Sequence, residues 1–166
     1  VPVQIFTASW FTPLPPDVQR IGISRGTPRG MPGGYRKMAE LNPGSWFMSA
    51  RPSEYYERYY GEILRPLDLA QVLDRFDQLA SGKPAVALLC YERPPFVAET
   101  YNLCHRRIVA SWIEQHTGTE VAEFLPDGVA LGDTVPLGAG IDEWLEIAAR
   151  VRPKPQRRAD KPRGLF

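Results

Sequence analysis

Two short runs in this chain hold the residue types that proton transfer and nucleophilic attack require. Cys90-Tyr91-Glu92 closes an apolar stretch, and Cys104-His105-Arg106-Arg107 follows one loop later. Carboxylate, imidazole and thiol groups move protons near neutral pH, and a thiolate is also a nucleophile. The planar guanidinium fork suits phosphate. We therefore expect Cys90, Glu92, Cys104 and His105 to be catalytic. Glu92 or His105 would be general acid or base, and Cys104 or Cys90 a nucleophile or polarising neighbour. Ser9, Arg25, Arg29, Tyr91 and Arg106 are expected to bind the ligand, with Arg25 and Arg106 on its phosphate.

The elements that must position these groups follow from periodicity. Val3 to Ser9 reads as a first strand and Val18 to Ser24 as a second. Between and after them lie Phe11 to Pro16, with three prolines, and a Gly- and Pro-rich basic loop over 25–34. Such a loop can lay backbone N–H groups against an anion. Pro52 to Leu64 and Leu67 to Ala80 carry helical spacing, the second stopped by Gly82. Ala85 to Tyr91 is apolar throughout, which places it at the centre of a mostly parallel sheet. Asn102 would cap a helix running to Gln115, followed by a strand over Glu120 to Leu125 and a helix over Ile141 to Val151. Alternating strands and helices predict an α/β fold, a three-layer Rossmann-like domain with a mostly parallel central sheet. In such sheets ligands bind beyond the carboxyl ends of the strands. Ser9, Arg25 and Cys90-Tyr91-Glu92 all fall there.

Each candidate has a plainer alternative. Cys90 at the end of a buried strand could be a small hydrophobe. Tyr55, Tyr56, Tyr59 and Tyr60 could stack bases, but at helical spacing they read better as an amphipathic core face. The arginines of the 25–34 loop could face only solvent, and His116 could merely stabilise the end of its helix. With Asn102 as cap, Cys104 would occupy the first helical turn beside His105 and two arginines, and should ionise readily there. A zinc site from Cys90, Cys104, His105 and a carboxylate is chemically conceivable. Neither Cys-x-x-Cys nor His-x-x-x-His spacing is present, so the expectation is no metal and no cofactor.

The 166 residues suit one domain with a tail, and 43% hydrophobic against 23% charged residues is a globular balance. No apolar run reaches the roughly 20 residues of a membrane helix, and no signal peptide is visible, so neither a membrane nor an exported protein is expected. Two cysteines without an export signal suggest thiols in a reducing, cytoplasmic setting. The net charge of +1 conceals a partition: +3 over 1–49, −8 over 50–149 and +6 over 150–166. We read 1–151 as a single α/β domain and 152–166 as a basic, proline-rich C-terminal tail that cannot fold alone.

The run Val86-Ala-Leu-Leu-Cys-Tyr-Glu92 followed by Leu103-Cys-His-Arg-Arg-Ile-Val-Ala110 resembles the signature of the "domain of unknown function 488" family. Ser9 and Arg25-Gly-Thr-Pro28 resemble its upstream pattern, although Ile23 stands where relatives carry aspartate. The resemblance implies a compact cytoplasmic α/β domain whose cleft is lined by Ser9, Arg25, Cys90, Glu92, Cys104, His105 and Arg106. It assigns no reaction. From the residues themselves we expect an enzyme-like domain that binds a phosphorylated ligand, either a nucleotide or nucleic acid. The alternative is a non-catalytic binding module that recruits nucleic acid or a protein partner through its basic tail.

Overall fold

The computed structural model describes residues 1–93, 104–125 and 130–131. Six strands form one sheet in the order β3-β2-β4-β1-β5-β6: β1 Gln4–Ser9, β2 Val18–Gly22, β3 Arg36–Lys37, β4 Ala85–Cys90, β5 Ala122–Phe124 and β6 Ala130–Leu131. The first five are mutually parallel, and β6 runs antiparallel to β5. The apolar run at 85–90 takes the central position, every residue buried, between β1 and β2. Its register sets Ser9 level with Cys90, so the ends of the two middle strands coincide.

Alternation along β4 divides the core in two. Val86, Leu88 and Cys90 join Ile21 and Ile23 on the face where α1 (Pro52–Arg58), α2 (Leu69–Ala80) and α3 (His105–Thr117) contribute Tyr56, Phe76, Ile108 and Val109. Ala85, Ala87 and Leu89 point the other way, into a smaller cluster with Phe6, Ala8, Trp10, Val18 and Phe124. Burial on both faces belongs to the three-layer, Rossmann-like α/β architecture that the sequence predicts. Trp10 lies directly across Gly22, with its indole Nε1 donating to Ser24 Oγ at 2.8 Å. None of the helices is long and apolar enough to cross a membrane, among the described residues.

Local chemistry explains the boundaries. The Asp68 carboxylate accepts from the Ala70 N–H at 2.9 Å and starts α2. Ser81, at φ 51°, and Gly82 end it in left-handed geometry. Asp68→Ala is expected to lower stability by about 1 kcal/mol, since one helix N–H loses its cap; a urea titration checks this. The expected helix over 52–64 divides into α1 and a π-helical turn, Tyr59–Leu64. That turn buries Tyr59 completely, and its hydroxyl donates to Leu41 O at 2.7 Å. Tyr56 is buried as well, so the tyrosine stripe is a core face.

Two expectations shift in detail, and one stretch carried none. The second strand ends at Gly22, although the Ile23 N–H still bonds to Leu89 O. Two 3₁₀ turns, Ala39–Leu41 and Ser45–Met48, and the short β3 occupy ground where periodicity gives no signal. Helix α3 begins at His105, with an extended Cys104 at the cap position. Cys104 therefore precedes the first turn instead of lying within it. The expected Asn102 cap, the 141–151 helix and the 152–166 tail lie outside the described residues.

Candidate functional site

The end of β4 meets the start of α3 behind the end of β1. There the Cys90 Sγ lies 3.3 Å from His105 Nε2 and 3.6 Å from Nδ1. Cys90, Cys104 and His105 are buried, with their sulfur and ring-nitrogen atoms all within 4.8 Å of one another. His105 Nε2 lies 2.8 Å from the Ile23 carbonyl oxygen, which can only accept, so the proton sits on Nε2. The Tyr59 ring packs against the imidazole at 5.2 Å between centroids.

Below this cluster runs a buried polar network. Arg106 donates a forked pair of hydrogen bonds to Glu123, with its closest contact at 2.6 Å and both side chains fully buried. Its Nη1 also lies 3.3 Å from Cys104 Sγ and 3.9 Å from Glu92. Arg107 donates to Thr7 Oγ1 at 2.6 Å and to Val121 O at 2.9 Å, and Thr7 Oγ1 in turn donates to Glu123. The Nε and Nη2 atoms of Arg107 are buried without a hydrogen-bond partner among the described residues.

These surroundings set the proton affinities. Burial pushes the Cys104 thiol well above its ordinary range, and neighbouring Cys90 and Glu92 add to that; Arg106 opposes it only weakly. The early ionisation expected of Cys104 is thus reversed, because the thiol is buried and sits outside the helical turn. Burial alone would lower His105, yet the Cys104 thiol, Glu92 and the Ile23 carbonyl outweigh it and raise the imidazole. Burial likewise opposes charge on Arg106, but the Cys104 sulfur and the Glu123 carboxylate hold it firmly protonated. Arg107 is pulled down to about 10 by burial, with Glu123 and Glu114 offsetting only part of the cost. Burial raises the Tyr55 phenol strongly, with added repulsion from Cys104, Glu92 and Cys90.

Five sequence-expected residues converge here: Cys90, Glu92, Cys104, His105 and Arg106. Arg106, expected on a ligand phosphate, has its fork occupied by Glu123 instead. Ser9 is buried at the end of β1, where its hydroxyl donates to Tyr91 O at 3.4 Å and accepts from the Phe11 N–H. Burial raises the Tyr91 phenol, and its ring meets Phe11 edge-on. Arg25 donates to Pro43 O at 3.2 Å and lies over the Phe47 ring. Arg29 is exposed on the same irregular loop, which Lys37 ties together through Ser24 O and Thr27 Oγ1.

Sequence reasoning gave no role to Thr7, Arg107 or Glu123. The available signals were two consecutive arginines directly before the apolar turns Ile108 to Ile113 and a single carboxylate between Ala122 and Phe124. No curated protein and no solved structure matches the chain. The DUF488-N3a family model, described as the active DUF488-N3 subclade, matches residues 5–117, well over half of the sequence, and the chain belongs to that family.

Proposed function

We propose that this domain is an enzyme acting on a phosphorylated ligand, a nucleotide or nucleic acid, over the carboxyl ends of β4 and β1. The observation that carries the reading is Glu92. It leaves β4 two residues after the buried Cys90, keeps 41% of its side chain exposed, and stands 3.9 Å from the Arg106 guanidinium. Glu92 thereby links a buried thiol–imidazole cluster to solvent, the position a general acid or base must hold.

Around that carboxylate lie groups suited to a nucleotide. Phe11, 45% exposed, carries the Arg93 guanidinium 4.5 Å above its ring. An exposed aromatic ring beside a cation offers a base a stacking surface and a phosphate a counter-charge. Arg25 and Arg29 are exposed on the loop that follows β2, the strand beside β4. The match to a subclade called active agrees with a catalytic role.

The test is calorimetric titration of the full chain with nucleoside mono- and diphosphates and a short single-stranded oligonucleotide at low salt. Saturable binding that weakens with added salt is expected. Glu92→Gln should retain that binding and lower turnover of the bound ligand by about 10²–10⁴-fold. The absence of saturable binding by any of these ligands would remove the proposal.

A further inference from the structure

We propose that Cys90, Cys104 and His105 form a binding site for a single zinc ion. The proposal goes beyond the phosphorylated-ligand reading and stands without it. Neither cysteine belongs to a metal-binding spacing, because the site is assembled by the fold. The end of central strand β4 supplies one sulfur, and the residues at the head of α3 supply the second sulfur and the imidazole.

Distances support it first. Zinc bonds of about 2.0–2.3 Å at tetrahedral angles place ligand atoms about 3.5–3.8 Å apart. Here the Cys90 sulfur is 3.3 and 3.6 Å from the two imidazole nitrogens, and the three donor atoms fall within 4.8 Å of one another. Side-chain rotations that draw the donor atoms from within 4.8 Å to about 3.5–3.8 Å of one another complete the geometry.

The groups behind the donors agree. A metal-binding histidine normally donates its other ring N–H to a carbonyl or carboxylate, which fixes the tautomer. His105 does so from Nε2 to the Ile23 carbonyl at 2.8 Å. That leaves Nδ1 unprotonated as the ligand nitrogen, with the Cys90 sulfur 3.6 Å from it. Arg106 Nη1 is 3.3 Å from Cys104 Sγ, placed to donate an N–H to a metal-bound thiolate. Two thiolates cancel the charge of a divalent ion, so the buried site is neutral once loaded. Two thiolates and one imidazole favour zinc over the hard, oxygen-seeking magnesium and calcium ions.

Three protein donors leave a fourth position for water, the arrangement of zinc sites that do chemistry. Glu92 is the acid next along the chain from Cys90 and contacts the same Arg106 that touches Cys104. Were a water to occupy that position, Glu92 would be the side chain of this cluster placed to take its proton.

The experiment is metal titration of the full-length, reduced, chelator-treated chain, with zinc competing against a chromophoric chelator and cobalt used as a spectroscopic probe. Uptake of one zinc per chain is expected. Cobalt should give the thiolate-to-metal charge-transfer absorption and the intense visible bands of a tetrahedral, sulfur-ligated ion. Cys104→Ser and His105→Ala should each weaken zinc binding at least about 100-fold, whereas His116→Ala, which changes the other histidine, should not alter it. The cobalt spectrum of the unsubstituted chain decides the matter even where a variant fails to fold. Absence of stoichiometric uptake, or a cobalt spectrum without sulfur charge transfer, overturns the proposal. Neither readout includes a phosphorylated ligand, so this failure is distinct from failure of nucleotide binding.

Discussion

Arg106→Ala is expected to cost about 3–5 kcal/mol of folding stability, enough to remove a large part of a typical domain's margin. The cause is the carboxylate left behind. Glu123 is fully buried and receives the Arg106 fork on both oxygens. With the guanidinium gone, the Thr7 hydroxyl is the one hydrogen-bond donor left to it among the described residues, and Arg107 hydrogen-bonds to that hydroxyl and not to the carboxylate. Arg106→Lys keeps the charge but loses the fork, so it should fall between the two. Urea unfolding with an unchanged m-value provides the measurement. A loss below about 1 kcal/mol, the range of exposed pairs, would mean that water reaches Glu123 and that the pair is not part of a sealed floor.

Gly22→Ala should destabilise the domain by about 1–3 kcal/mol through overpacking. A methyl group built on Gly22 falls 2.3 Å from Trp10 Cζ2 and 2.6 Å from Cη2. Neither side yields easily. Trp10 is buried and tethered through its indole N–H to Ser24, while Gly22 is held in register opposite Leu89 of β4. If the ring is the obstacle, its replacement relieves the strain. The loss in Gly22→Ala/Trp10→Leu should then be smaller than the sum of the two single losses, by about 0.5–3 kcal/mol. Strict additivity in chemical denaturation would show that the methyl is accommodated by strand movement and that Trp10 does not lock β2.

The sheet was legible wherever hydrophobic pattern alone decides structure. An unbroken apolar run at 85–90 can be satisfied only with both faces covered, and it stands at the centre of the parallel strands. The amphipathic spacing from Leu69 to Ala80 likewise fixed α2. The segment between Lys37 and Pro52 was opaque, because its 3₁₀ turns are held by contacts such as Tyr59 to Leu41, between residues 18 apart. At the site, the residue types identified Cys90, Glu92, Cys104 and His105 as a group. They did not reveal that Arg106 faces inward. An arginine beside a histidine reads as a ligand hand until Glu123 is known to lie opposite it, and strand β5 is too short to show a pattern of its own. The residue types also raised Cys90, Cys104 and His105 as metal ligands, but spacing argued against them, since Cys90 lies 14 and 15 residues before the other two and only the fold brings the three together.

The Thr7–Arg107–Glu123 network ties the beginning of the chain to a strand more than a hundred residues later. On a ribosome this imposes an order. When the nascent chain has emerged only through α3, both arginines are present and Glu123 is not. Seating α3 at that stage would bury Arg106 without the carboxylate that takes its fork, with the partly exposed Glu92 3.9 Å away, at a cost of several kcal/mol. Strands β1, β2 and β4 can pair early, and α3 gains the counter-charge for its buried fork when β5 arrives. Glu123 thus supplies, late in the chain, the charge on which the seating of α3 depends, and a chain interrupted before residue 123 lacks it.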